Sequence, residues 1–477
     1  MKKVNIILSF VLLLGFSSCN KNFEEINTNP NGLSEVTPSN LLAPALKKSV
    51  EYSMNRSQAV TNELMQVTVN MGDSDGKIFR YDIRANVADY MWNNAYVQLN
   101  NFRDIYNLAE QQGDKSFMGI SLICQAWLFS ILTDTYGDIP FTDALQGREN
   151  NVTPTFDPQM DVYIGISKAL DTANVYLQGA TNIPSSSDPI YQGNVASWRK
   201  FGNSLHLRLL LRVAHKSELN AKNKIKQMVD ELSTNYPLII NTEESAILRW
   251  TGVSPYVSPF ATWRPGDWYG PKLSTFFVDN LNEWSDPRIQ KWASLWDGEY
   301  AGVPSGYPIG SNPQGKSAFP TTLMSEPLLG NILNYAELQF ILAEAAAKGY
   351  ISKSAQTYYE RGIKSAIEMW GFTLPDNYLT GEHIIWNEEA DLSSKMKLIH
   401  QQKYYALFFT DLQSWFEYRR TGLPELPILS GHLNDRKMPA RLNYPVYVQS
   451  ANKENYNIAV QRQGQDDINT LVWWQKP

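Results

Sequence analysis

The feature that most limits this chain is a recurring pair of apolar stripes at helical spacing. Ala95, Leu99, Phe102, Tyr106 and Ala109 fall on one face of a helix that Gly113 ends, and Phe117, Ile120, Cys124, Trp127, Leu128 and Ile131 make a second, ended by Gly137. A short loop joins them, so they stand as antiparallel neighbours. Asp157-Pro158 reads as a cap with proline in the first helical position, opening a helix with Tyr163, Ile166, Leu170, Ala173 and Leu177 inward; Trp198, Phe201, Leu205 and Leu209 form its partner. The unit returns with Leu338, Ile341, Leu342 and Ala345, a turn at Gly349, then Ala355, Tyr359, Gly362, Ile363, Ala366 and Trp370. Ser394 to Thr421 supplies a last helical region, interrupted near Thr410-Asp411. Helix pairs recurring at about 34 to 45 residues predict a mostly α fold, a tetratricopeptide-like scaffold of stacked hairpins. The C-terminal stretch, with Pro439, Pro445 and Trp473-Trp474, is expected to be largely irregular and to wrap that scaffold.

Between the second and third pairs the pattern breaks. Trp250, Trp263, Trp268, Trp284, Trp292 and Trp296 are six of the chain's 14 tryptophans, and they lie among Pro255, Pro259, Pro265, Pro271, Pro287 and Pro304. Proline removes a backbone donor and clashes with the preceding turn, so the 250–315 segment is expected to be a rigid, turn-rich, non-helical insert that exposes at least some rings. Any one tryptophan can equally serve as a staple onto the body. A neutral sugar offers hydroxyls at its edge and C–H groups on its face, so a receptor needs flat rings and a few polar partners. Trp263, Trp268, Tyr269 and Trp296 are the candidate rings, and Arg264 and Asp267 the candidate hydroxyl partners. On this reading Trp268→Ala weakens ligand binding without unfolding the protein.

Met1-Lys2-Lys3, the apolar run Val4 to Phe16 and the ending Ser17-Ser18-Cys19 read as a secretion signal over residues 1–18. The ending resembles a bacterial lipobox, which implies cleavage before Cys19 and lipidation there; each buried methylene of such an anchor contributes about 0.8 kcal/mol. Residues 19–39, polar and centred on Asn27-Thr28-Asn29-Pro30-Asn31-Gly32, read as a tether that reaches at most about 65 Å. Residues 40–477 then form one domain. Cys124 is left without a disulfide partner and is expected to pack as a small hydrophobe. A net charge of −6 with no basic run excludes a nucleic-acid partner.

Residue chemistry points to no enzyme. Asp134 and Asp138 flank Tyr136-Gly137 as a glycosidase pair would, but turn hydrogen bonding after a helix-ending glycine accounts for Asp138. Asp73-Ser74-Asp75-Gly76 lacks the later ligands of a calcium loop. The five histidines show no paired spacing, and phosphate-binding loops and Gly-x-Ser-x-Gly elbows are absent. Arg419-Arg420 is expected to pair with acidic neighbours. No catalytic residue, metal or cofactor is assigned.

Several stretches in this order resemble the SusD/RagB outer-membrane lipoproteins, in particular their second, SusD-like branch: Asn22 to Pro30, Asp134 to Phe141, Trp198 to Leu205, Tyr335 to Ala345, Gln402 to Phe408, Tyr418 to Gly422 and Arg441 to Pro445. The resemblance implies a tetratricopeptide-like fold, lipid-anchored on the outer face of the outer membrane. It also implies a lid over a TonB-dependent transporter that receives captured oligosaccharide, or in some members peptide. The family often adds ligand contacts from a loop that corresponds to Gly72–Tyr90, where Arg80 and Tyr81 are the candidates. An all-helical glycosidase and a plain protein-binding scaffold are the competing classes.

Overall fold

The computed structural model describes residues 36–477. The expected signal peptide (1–18), Cys19 and all but the end of the expected tether (19–39) lie outside the described residues. The first helix, α1 (Pro38–Arg56), takes in the last two residues assigned to the tether.

The expected hairpins are present. α2 (Asn86–Gln112) packs on α3 (Lys115–Tyr136), which packs in turn on α4 (Gln159–Tyr176) and α5 (Val195–Arg212). α3 is buried on nearly every side, which is why apolar residues run all round it instead of along one stripe. Gly113 ends α2 at φ 69°, the left-handed turn that glycine adopts without a Cβ penalty. Asp114 then starts α3, its carboxylate accepting from the Ser116 and Phe117 amides. The start of α4 departs from expectation. Asp157 turns away to accept from the Phe141 and Thr142 amides, and the cap on Gln159 N is Asp138 Oδ1 at 2.9 Å, from the preceding turn.

The 250–315 segment is not wholly non-helical. Thr275–Glu283 forms a helix, α6, and Pro265–Tyr269 and Ile289–Trp292 form single turns. Prolines punctuate their ends instead of interrupting them: Pro265 sits in a first turn, where its missing donor costs nothing, and Ser274 caps a stretch without Pro or Gly. Two short antiparallel ribbons tie the insert to the body. β1 (Thr68–Val69) pairs with β3 (Lys272–Leu273), and β2 (Ala246–Ile247) with β4 (Asn331–Leu333).

α7 (Tyr335–Ala347) and α8 (Ala355–Glu368) make the third hairpin, Gly362 meeting the Phe340 ring so closely that a Cβ there would lie 2.8 Å from it. α9 (Leu392–Ala406) and α10 (Gln413–Thr421) follow, divided at Asp411. The Asp411 carboxylate holds Arg56 at 2.6 and 2.7 Å, and its carbonyl accepts from Thr61 Oγ1, which locks the end of α1 into the α9–α10 junction. The C-terminal stretch, expected to be irregular, contains α11 (Lys453–Gln463). Only Ala459 and Gln463 of that helix are buried, so its sequence carries almost no apolar stripe.

Candidate functional site

β3 and the turn before it set the surface. Tyr269 stands half-exposed at the end of the Pro265–Tyr269 turn, with Lys272 Nζ 5.8 Å from its ring centroid. Lys272 then runs toward Gly315, where a Cβ would come 3.1 Å from Lys272 Cε. The next residue, Lys316, lies 5.9 Å over the half-buried ring of Trp296. Tyr269 and Trp296 are therefore joined through two lysines into one aromatic patch, with the exposed Asp297 and Glu299 at its Trp296 end. Trp296 is held by a two-residue hairpin: it exchanges backbone hydrogen bonds with Glu299, and Asp297 and Gly298 take φ 49° and 85° at the centre.

The other expected residues divide by burial. Trp263 is half-buried, edge-on to Phe260 at 5.0 Å. Arg264 and Asp267 are exposed and paired to each other, Nε to Oδ2 at 2.9 Å. Trp268 is corrected: at 1% exposure it presents no face to solvent. Its ring lies among Phe260, Phe319 and Phe409, and its Nε1 donates to the Pro320 carbonyl at 3.0 Å.

Arg80 and Tyr81 are corrected in the same way, both being 1% exposed. Arg80 is a brace for its own loop. It donates to Asp73 Oδ1 (2.8 Å) and the Gly72 and Tyr307 carbonyls, and its guanidinium lies against both the Phe79 and Tyr307 rings, 4.9 and 4.6 Å from their centroids. Asp73 in turn accepts from the Gly310 amide at 2.8 Å, so the Asp73–Gly76 stretch is a structural turn tied to the insert. Tyr81 packs 4.6 Å from the His432 ring. Beneath this loop Glu63 accepts from the Phe79 amide, and burial pushes its carboxyl up to about 7.

A hollow that no motif marks opens beside the insert. α6 and Trp284 form one wall, α9 the other, with Leu423-Pro424 between them and the 382–390 segment along the rim; it encloses about 600 Å³. A second hollow of about 360 Å³ adjoins it and shares Glu283, Trp284, Glu382 and His383. Its residues come from three distant stretches and carry no common spacing, so only Trp284 had any signal in the sequence.

Comparison with known proteins decides the family. A family model described as "Starch-binding associating with outer membrane" matches residues 30–445. The chain belongs to the SusD-like family. Solved structures agree in fold: a chitin-binding SusD homologue of Flavobacterium johnsoniae is 24% identical with a TM-score of 0.81, over 92% of this chain and 98% of that one. SusD homologues of Bacteroides fragilis and Bacteroides uniformis are 26% and 25% identical, with TM-scores of 0.76 and 0.75, covering 93% and 91% of this chain and 100% and 99% of theirs. No curated protein matches.

In this SusD-like protein the acidic residues weighed for catalysis have structural work. Asp134 is fully buried and accepts from Arg212, Tyr163 Oη (2.6 Å) and Trp474 Nε1 (2.8 Å). Asp138 holds Arg462 Nε at 2.6 Å besides capping α4. Both carboxylates are buried, at 0% and 5% exposure. Of the arginine pair, Arg420 meets Glu344 and Glu417 as expected, whereas Arg419 donates to the Asp134 and Ala440 carbonyls and lies 4.1 Å over the Trp415 ring. Cys124 is buried and free, as expected.

Proposed function

We propose that this SusD-like protein captures oligosaccharide at the cell surface and delivers it to a TonB-dependent outer-membrane transporter, acting by binding and not by catalysis. The observation that carries the reading is the Tyr269–Lys272–Lys316–Trp296 patch, with Trp263 and the Arg264–Asp267 pair in the same insert. Rings backed by cations offer a flat surface to the C–H face of a sugar. The exposed Arg264 and Asp267 offer a donor and an acceptor to its hydroxyls.

Tyr269→Ala and Trp296→Ala are each expected to weaken oligosaccharide binding about fivefold to tenfold, since one ring contact is worth about 1 kcal/mol, while leaving the melting temperature unchanged. A glycan and peptide array read alongside tryptophan fluorescence checks this. Peptide binding without glycan binding moves the protein to the peptide-capturing reading, and depletion of the sugar on incubation makes it a hydrolase.

Anchoring rests on Cys19. Cys19→Ala is expected to move the protein from the membrane fraction to the soluble fraction, or to stall its processing, because two or three acyl chains are what hold such a tether in lipid. Retention of acylated Cys19→Ala protein in the membrane fraction would refute the lipid assignment.

A further inference from the structure

We propose that the groove between α6 and α9 is a second ligand site, selective for oligosaccharide that carries free amines. The proposal rests on the carbohydrate-binding reading above and adds to it a site and a ligand chemistry.

The two adjoining hollows, about 600 and 360 Å³, fall in the size range of pockets built for small ligands, roughly 300–1,000 Å³. Their shared wall is Trp284. It is 8% exposed, its orientation is fixed edge-on to Tyr405 at 5.2 Å, and its indole N–H has no acceptor within the protein. That nitrogen is itself out of reach of solvent, so Trp284 serves the groove as an apolar wall. Apolar contact comes from Phe276, Leu398 and Pro424, and amide groups from Asn387 and Gln401. Asn387 Oδ1 already accepts from the Glu389 amide, so its NH2 group and Gln401 supply the polar contacts that a sugar ring on an apolar floor requires.

Charge sets the chemistry of the sugar. Glu283, Glu382 and Glu425 face a single lysine, Lys397, and His383. Lys397 is committed to Glu425 at 2.8 Å, and His383 Nε2 to Glu283 Oε1 at 2.9 Å. Glu382, exposed and common to both hollows, has no partner among the described residues. A carboxylate accepts from the hydroxyls of any glycan, but an ammonium group adds charge attraction to Glu382 and its acidic neighbours. At the Tyr269–Trp296 patch Lys272 and Lys316 offset the exposed Asp297 and Glu299 beside Trp296, so it lacks the groove's excess of carboxylate.

The test is titration calorimetry on the mature chain with glucosamine oligomers and N-acetylglucosamine oligomers of equal length, at about 0.05 M and about 0.5 M salt. Wild type, Glu382→Gln and Trp296→Ala are compared. The amine-bearing oligomer is expected to bind at least about fivefold tighter at low salt, with most of that preference lost at high salt and in Glu382→Gln. Trp296→Ala is expected to keep the preference. Equal affinity for the two oligomers, or a preference that survives Glu382→Gln, overturns the proposal. A lysine-rich peptide that binds this groove more tightly than the aminosugar oligomer overturns its carbohydrate assignment. If Trp296→Ala abolishes binding of both oligomers and Glu382→Gln affects neither, the patch stands and the groove falls. If Glu382→Gln alone matters, the groove stands and the patch falls.

Discussion

Trp268→Ala is expected to lower the unfolding free energy by about 3–5 kcal/mol, the range for removing a large aromatic side chain from a packed core. Its ring touches Phe260, Phe319 and Phe409, with centroids 4.9, 5.6 and 6.4 Å away. These rings come from both flanks of the insert and from the α9–α10 junction, and such a cavity cannot collapse without moving all three. The Pro320 carbonyl would also lose its donor. Trp268→Phe separates the two contributions: it retains most of the volume and forfeits only the hydrogen bond, for about 1 kcal/mol. Denaturant melts of both variants, with Trp296→Ala as the half-exposed control, read the effect directly. A Trp268→Ala protein that melts like wild type yet fails to bind ligand would restore this residue to the binding surface and refute the packing role argued here.

Why Trp268 could not be placed from its own neighbourhood is instructive. Trp263-Arg264-Pro265-Gly266-Asp267-Trp268 has the turn chemistry of an exposed loop, and that loop does form. The residues that cover Trp268, Phe319 and Phe409, stand far along the chain, and local spacing says nothing of them. The same applies to Arg80, whose partners Asp73 and Gly72 are local but whose second stacking ring is Tyr307. Helical hairpins are legible because they repeat apolar residues at helical spacing and several of their helices end at a glycine, Gly113, Gly137 and Gly422 among them, so fold class needs only local information. α11 has little sequence signature because it buries so little, and α6 because it is a short proline-free stretch bounded by prolines. The hairpin that holds Trp296 did carry a local signal, Asp297-Gly298, whose two positive φ values are those of a tight two-residue turn. Apart from Trp284 the groove carries none: three segments brought together by the packing of α6 against α9 have no shared period.

Arg420→Ala is expected to cost about 3–5 kcal/mol at neutral pH, the penalty for removing one partner from a buried ion pair. Arg420 reaches Glu344 at 2.6 Å and Glu417 at 2.7 Å with side-chain exposures of 6%, 0% and 7%. Glu344, His400 and Glu417 bring donor atoms within 4.8 Å of one another, the kind of cluster that can hold a metal. Here Arg420, and Lys403 at 2.8 Å from Glu417, already supply the positive charge, so the cluster is an ion-pair network that fastens α7, α9 and α10 together. Burial alone would raise the Glu344 carboxyl, but Arg420 and His400 beside it hold it well below its ordinary range; Arg420, Lys403 and Arg212 do the same for Glu417. Burial pushes the His400 imidazole itself down, so at neutral pH the counter-charges of Glu344 are Arg420 and Lys348, whose Nζ lies 2.6 Å from Glu344 Oε1. The sign of the pH dependence follows. Carboxyls depressed in the folded state contribute stability that is fully present above their unfolded value near 4.5 and is lost as pH falls through the folded values. Without the guanidinium both carboxyls protonate at higher pH in the folded variant, so the deficit of Arg420→Ala is largest at neutral pH and narrows on acidification below about 4.5. Denaturant melts at several pH values measure both the size and the slope. A deficit that is small at neutral pH, or that grows as the solution is acidified, would mean that these carboxylates are not held ionised by Arg420 and that the network binds the helices by packing alone.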